Sequence, residues 1–456
     1  MVDKAIFREA RKDMAVRYHI FQIEESYCVV DVMTADVFVV TADVAEKLYK
    51  LMEEENNIEE MDINSIEDNE KESARRCHRL TLNITSKCNL ACRYCYANCG
   101  DYKQSNSEQF EMTLMTVENA VRKTIVLYPE GIQMIQIFGG EPLMAKRHLK
   151  DIIEVIKTVC IEEGVEIPMF GMVSNGTLID EETAEFLVNN LCSITISLDG
   201  KETVNDFNRR FPGENGYGVY RRVKDAVKLL KKYDKNFRVK CECTVTAANI
   251  RDYLENGKKD NLFYAIYEDI GFDSCLCNPV FGSDDEEISL ETLDFDVIAE
   301  YFDDFLCQQI HDEEGKLKEV TDLYRISKIL LKKQSLKRQC GANKSDLAVD
   351  IKGDMYPCFM FIGADEYTLG NVNEATDIEM KEKYERVLSS LENANDNSEC
   401  KKCWAQRFCS AGCGNCIGAR YLANGSVKKP IKQNCEIGKK QLERFIWEAV
   451  RYQKEK

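Results

Sequence analysis

Among the residues whose types and spacing could do chemistry, Cys88, Cys92 and Cys95 come first, a Cys-xxx-Cys-xx-Cys triplet in TSKCNLACRYCYANCG. Three thiolates leave a four-coordinate iron one ligand short, so the triplet suits an iron-sulfur cluster that binds a substrate or cosubstrate directly. The alternative is zinc, which wants four ligands and usually takes them from paired Cys-xx-Cys units. Polar groups follow: Gly139, Gly140 and Glu141 in FGGEPLM, Ser174 and Asn175 in VSNGT, Ser197 and Asp199 in ISLDG, and Arg209 in NDFNRRF. Glycines there let backbone approach a ligand closely, and a carboxylate can accept from a charged amine.

A second cysteine set lies far downstream. Cys340, Gly353 and Cys358 stand in CGANKSDLAVDIKGDMYPC, Cys400, Cys403, Cys409 and Cys413 in CKKCWAQRFCSAGC, and Cys435 beyond them. The chain holds 21 cysteines in 456 residues. Its start, MVDKAIFREARKDM, is charged throughout and predicts no signal peptide. No apolar run reaches the roughly 18 residues of a membrane span. A reduced, cytoplasmic chain is expected, with thiols serving metal rather than disulfides. Cys28, Cys77, Cys160, Cys192, Cys241, Cys243, Cys275, Cys277 and Cys307 lie mostly in apolar runs and read as small core residues. A net charge of −18 argues against a nucleic-acid groove or a membrane-surface role. It leaves a solvated acidic surface, or a basic peptide partner, as the two readings.

The elements that must position these groups follow from periodicity. Strands are predicted at 80–85, 134–138, 169–174, 194–198, 237–245 and 273–280, alternating with helices at 112–127, 147–162, 181–190 and 219–233. Such alternation predicts an α/β fold with a parallel sheet, here a partial (β/α)6 barrel, and it places the polar groups at C-terminal strand ends. Residues 18–52 read as short alternating strands and an amphipathic helix. Five segments result: an N-terminal module with acidic linker over 1–76, the barrel over 77–289, a helical bridge over 290–339, a cysteine-rich domain over 340–440, and the end of a terminal helix over 441–456.

The triplet and the polar strand ends resemble the radical S-adenosylmethionine (SAM) family, and the seven downstream cysteines resemble the SPASM extension of its maturases. The resemblance spans about residues 80–440. It implies that Cys88, Cys92 and Cys95 hold a [4Fe-4S] cluster whose free iron chelates SAM, and that one electron cleaves SAM to a 5′-deoxyadenosyl radical. Tyr94 then falls beside the adenine and Glu141 at the methionine amino group. Ser174, Asn175, Ser197 and Asp199 fall at ribose or carboxylate. Arg209 matches the carboxylate binder, with Arg210 its rival; family members often have His where this chain has Asn205. For the second set, the resemblance assigns Cys400, Cys403, Cys409 and Cys435 to an outer cluster and Cys340, Cys358 and Cys413 to an inner one, making three [4Fe-4S] clusters. Zinc ribbons are the alternative.

The inner set again numbers three, with Cys416 a candidate fourth; otherwise an open iron could take a substrate thiolate. That pattern resembles maturases of sactipeptides, ranthipeptides and six-cysteine peptides, which join a peptide cysteine sulfur to carbon. Sulfatase-maturating relatives carry an Asp after the cysteine of the YPC motif, where this chain has Phe359, so formylglycine formation is not expected. The expected partners are a ribosomally synthesised, Cys-containing precursor peptide and a one-electron donor such as ferredoxin or flavodoxin. The precursor's leader would bind the N-terminal module, which resembles a peptide-recognition element; the alternative is a packing cap on the barrel. Carbon-carbon cross-linking, epimerisation and decarboxylation are other outcomes of the same machinery, and an iron-sulfur electron carrier is the non-enzyme reading.

Overall fold

The computed structural model describes residues 18–32, 34–54, 76–102, 109–213, 218–258, 262–283, 285–311, 321–332, 340–392, 398–409 and 415–455. Cys413 and most of the acidic linker lie outside them.

Apolar residues on both faces of a strand demand cover on both sides, the signature of a buried parallel sheet. β4 (Cys77–Thr85) is buried continuously from Leu80 to Thr85. Parallel to it, in chain order, run β5 (Ile132–Gly139), β6 (Met169–Ser174), β7 (Ser193–Ser197), β8 (Arg238–Val245) and β9 (Ser274–Pro279). The crossovers carry α2 (Leu114–Leu127), α3 (Leu149–Glu162), α4 (Glu181–Asn190), α5 (Glu202–Asn208), α6 (Val219–Tyr233) and α7 (Ala247–Glu255). Local chemistry starts them: the Thr113 side chain accepts from the Thr116 amide and the Asp180 side chain from the Thr183 amide, while Thr246 and Asn249 form a capping box. α5, α7 and a π-helical turn over Tyr264–Ile270 lie in stretches where no helix was expected.

The sheet does not stop at β4. β10 (Asp346–Val349) pairs with it in parallel, and β11 (Asp354–Tyr356) and β12 (Gly370–Asn371) add on antiparallel, giving nine strands in all. The start of the cysteine-rich region is thus hydrogen-bonded into the barrel sheet. Asp346 pins the junction, accepting from Arg79 Nη2 at 2.5 Å and lying 3.1 Å from His78 Nδ1. One apolar core runs from Leu80 through Ile135, Ile194 and Val239 to Leu347 and Met355.

The N-terminal module is a meander of β1 (Tyr18–Ile23), β2 (Ser26–Asp31) and β3 (Asp36–Val40), followed by α1 (Ala42–Glu54). Phe21, Cys28 and Val30 pack with residues of α8 (Phe295–Ile310), α9 (Thr321–Lys332) and α12 (Lys432–Glu455). The His19 ring stacks on Trp404 at 3.6 Å and its Nε2 lies 3.0 Å from Glu443 Oε1. On the opposite edge β3 pairs with β2 alone among the described strands and leaves Phe38 about half exposed. Beyond β12 come α10 (Asp377–Glu392) and α11 (Ile417–Asn424), and α12 begins early enough to carry Cys435. Among the described residues no helix is long and apolar enough to cross a membrane.

Candidate iron-sulfur and cofactor site

Cys88, Cys92 and Cys95 sit half-buried on the loop after β4. That loop is tied to the end of α5 by Ala91 N–H to Arg210 O at 2.7 Å and Arg93 N–H to Asn208 O at 3.0 Å. The sulfurs already attract donors: the Leu90 amide lies 3.4 Å from Cys88 Sγ and the Cys99 amide 3.2 Å from Cys95 Sγ. Burial pushes the Cys88 thiol up to about 12 and that of Cys92 to about 11, with neighbouring thiols of the triplet adding to the rise. A bound metal cation would favour their thiolate forms and release the protons. Three half-buried thiols on one loop, two of them taking amide donors, fit an iron-sulfur cluster.

The Gly139–Gly140 pair has a reason the sequence did not reveal. A Cβ on Gly139 would stand 2.4 Å from Thr85 O, and one on Gly140 2.5 Å from Lys87 O. The strand end is pressed against the root of the cysteine loop, and Gly140 N–H to Thr85 O and Glu141 N–H to Lys87 O close the contact at 2.9 and 2.8 Å.

Glu141 is buried, and its carboxylate accepts from the Leu143 amide at 3.0 Å, Ser174 Oγ at 2.8 Å and the Asn175 amide at 2.6 Å. Ser174 and Glu141 hold each other, locking the end of β5 to the end of β6. Burial raises the Glu141 carboxyl against the pull of these donors. Asn175 reaches back to the cysteine loop, donating to Asn89 Oδ1 at 2.9 Å with Cys88 Sγ 4.0 Å away. Asn89, which no motif marked, also donates to Thr177 Oγ1 at 2.9 Å.

Tyr94, Asp199 and Arg209 form one buried unit. Tyr94 donates its hydroxyl hydrogen to Asp199 Oδ2 at 2.5 Å and accepts from Arg209 Nη1 at 2.5 Å. Arg209 Nη1 lies 3.6 Å from Asp199 Oδ1, which also accepts from the Thr244 amide at 3.0 Å. Burial raises the Asp199 carboxyl, and the Arg209 guanidinium works against that rise. Arg209 is buried beside Cys92, whereas Arg210 is exposed. Arg209 Nε is buried with no hydrogen-bond partner among the described residues, an orphaned donor that suits a ligand carboxylate. Asn205 accepts from the Asp199 amide at 3.0 Å. Ser197 ends β7 opposite Glu242, a carboxylate unmarked in the sequence that takes a 3.2 Å hydrogen bond from Asn278.

The downstream cysteines fall into two groups. Burial pushes the Cys435 thiol up to about 11, with Cys409, Cys403 and Cys400 as its electrostatic neighbours. Asn415 Nδ2 donates to Cys435 Sγ at 2.9 Å. The second group joins Cys340, Cys358 and Cys416: the Cys416 thiol hydrogen-bonds Cys340, lowering it and being raised in return, and both neighbour Cys358. Phe359, directly after Cys358, packs its ring 5.1 Å from that of Phe138. Tyr102, which no motif marked, is buried with its hydroxyl pushed up to about 12 chiefly by that burial, with small contributions from Cys95 and Cys358. Cys241 and Cys243 pair in register with Cys275 and Cys277 across β8 and β9, apart from these groups.

An α/β barrel with a three-thiol loop at its first strand end and further thiol groups on an extension of its sheet defines a cysteine-ligated iron-sulfur protein. Residues 82–251 match the Radical SAM superfamily, and residues 340–404 match SPASM, an iron-sulfur cluster-binding domain. The chain is a radical SAM enzyme with a SPASM domain, a class that carries a [4Fe-4S] cluster and binds SAM. It is 26% identical to the cysteine-type anaerobic sulfatase-maturating enzyme of Clostridium perfringens (strain 13 / Type A), over 73% of this chain and 87% of that one. It is 25% identical to the radical SAM cyclopropyl synthase TigE of Paramaledivibacter caminithermalis, over 83% and 76%. In fold it is similar to native anSMEcpe with bound AdoMet and Cp18Cys peptide, with TM-score 0.62 and 22% identity, covering 82% of this chain and 99% of that one.

Proposed function

We propose that this chain is a peptide maturase that joins a cysteine sulfur of a ribosomally made precursor to a carbon of the same peptide, forming a thioether. The observation that carries this reading is the Phe138–Phe359 ring contact at 5.1 Å, which sets the turn after Cys358 against the end of β5, one strand from the triplet loop. A substrate between the two thiol groups would meet both.

When bound, the triplet cluster and SAM would supply a 5′-deoxyadenosyl radical that takes one hydrogen atom from the substrate carbon; the peptide thiol would give up its proton as the sulfur bonds that carbon, and the second electron would pass to an auxiliary cluster. The chain's own residues hold the rest. Arg209 offers its free Nε to the SAM carboxylate, and Tyr94 and Asp199 fix the guanidinium in place. Glu141, taken up by three donors, acts as a positioning residue that sets the Asn175 loop against Cys88. Cys340 and Cys358 would hold an inner cluster with either Cys413 or Cys416 as third ligand, and Cys400, Cys403, Cys409 and Cys435 an outer one. Phe359 gives the position after Cys358 an apolar wall against Phe138, which favours thioether formation over a sulfatase-type step that needs a proton acceptor there. The outer edge of β3, with Phe38 and Val39 exposed, offers a leader peptide a strand to join.

Co-expression with a cysteine-containing precursor, read by mass spectrometry, tests the reading. A loss of two hydrogens per cross-link that disappears when the peptide's thiols are blocked supports it; survival of that mass loss after blocking overturns it.

A further inference from the structure

Family spacing ends its cysteine run at Cys413, yet the chain adds Gly-Asn-Cys416 before α11 begins. The added cysteine is not packed as a core residue. Its Sγ lies 3.5 Å from Met360 Sδ, and its remaining neighbours include the thiols of Cys340 and Cys358. Four sulfur atoms from three separate chain segments, 340, 358–360 and 416, therefore meet at one place.

Two local features look built for that meeting. Cys416 is the N-cap of α11, where its Sγ accepts from the Ala419 amide at 3.4 Å. A helix N-terminus favours an anion and hence a thiolate. Gly418, one residue into the first turn, has no room for a side chain: a Cβ would stand 2.6 Å from Met360 Cβ and 3.3 Å from Cys358 Sγ. Glycine there lets the turn press onto Cys358 and brings Cys416 alongside. The residue before, Asn415, faces the other thiol group through Cys435 Sγ at 2.9 Å, and the buried Arg420 clamps it by Nε to Asn415 O at 3.0 Å. Asn415 and Cys416 thus stand back to back between the two groups.

We propose that Cys416 is an iron ligand of the inner cluster, bound with Cys340 and Cys358. The inference rests on the reading above only in needing an inner cluster to exist. A buried soft donor set of thiolates, with a thioether beside it, suits iron-sulfur chemistry.

The test uses the full chain, reconstituted anaerobically with iron and sulfide. Cys416→Ala is expected to lose one cluster, about four iron and four sulfide per chain, while Cys160→Ala, altered in the core of α3, loses none. Cys416→Ser, which keeps an oxygen ligand, is expected to retain the iron but shift the electron paramagnetic resonance spectrum of the reduced protein. Full iron in Cys416→Ala together with an unchanged spectrum in Cys416→Ser overturns the proposal. Cleavage of SAM to 5′-deoxyadenosine reports on the triplet cluster and shows whether each variant is folded; should the alanine variant fail it, the serine spectrum decides. If the unaltered chain binds only one cluster, the thioether reading fails on its own account.

Discussion

The rings of Phe138 and Phe359 meet at 5.1 Å, joining the end of a barrel strand to the turn that follows Cys358. An aromatic pair of this kind contributes about 0.5–1.5 kcal/mol beyond the area it buries. Phe359→Ala is therefore expected to loosen the inner thiol turn against the barrel while leaving the cysteine triplet alone. Cross-linked product should fall roughly 3- to 10-fold, with SAM cleavage in the absence of peptide unchanged. Equal losses in both assays would mean that the pair supports the whole barrel instead.

Arg209 and Arg210 are neighbours in sequence and opposites in environment. Arg209→Ala leaves Asp199 buried with its cation removed, a change that typically costs about 3–5 kcal/mol. A lower melting temperature and at least 10-fold weaker SAM binding are expected, and Arg210→Ala should alter neither. Equilibrium dialysis with labelled SAM and a thermal melt separate the two.

The Asp346 carboxyl has an acid-side signature. Its burial alone would raise it, but the His78 hydrogen bond and the Arg79 charge win and hold it below the usual carboxylate range. A carboxyl lowered in the folded chain contributes stability that is complete above its unfolded value of about 3.9 and is lost as pH falls through the lower folded value. Asp346→Asn should accordingly be less stable than the parent by about 1–2 kcal/mol at pH 7. That gap should persist at pH 5 and shrink below pH 4. Urea unfolding at the three pH values reads it; a gap that widens in acid would refute the assignment.

With Cys340, Cys358 and Cys416 already together, an iron free to take a peptide thiolate requires Cys413 to stand aside. Cys413→Ala should then keep its iron and its cross-linked product. Loss of one cluster would instead show a closed set of four thiolates, and the substrate sulfur would have to be held elsewhere.

Much of this was written in the sequence. The alternating runs MIQIF and ITISL read as strands, and in the structure β5 starts two residues earlier and ends one later, while β7 is shifted one residue towards the N-terminus. The β10 strand was hidden because four residues carry no periodicity; its burial comes from β4, more than 260 residues earlier in the chain. Arg209 and Arg210 could not be ranked by spacing, since what separates them is which side of the α5 end faces Asp199. Glu141 invites an amine from its chemistry alone, yet the fold spends its carboxylate on Leu143, Ser174 and Asn175. Cys416 was ambiguous for a related reason: counting thiols along a chain says how many exist, and only the turn at Gly418 says which ones meet.

The pairing of β10 with β4 has a consequence for how the protein can be divided. A chain ended before Cys340 would keep every residue of the six parallel strands, but it would strip β4 of its outer neighbour and bare a row of apolar, hydrogen-bonding backbone from Arg79 to Leu82. Such an edge recruits other chains. The SPASM region thus serves the barrel as a seal along β4.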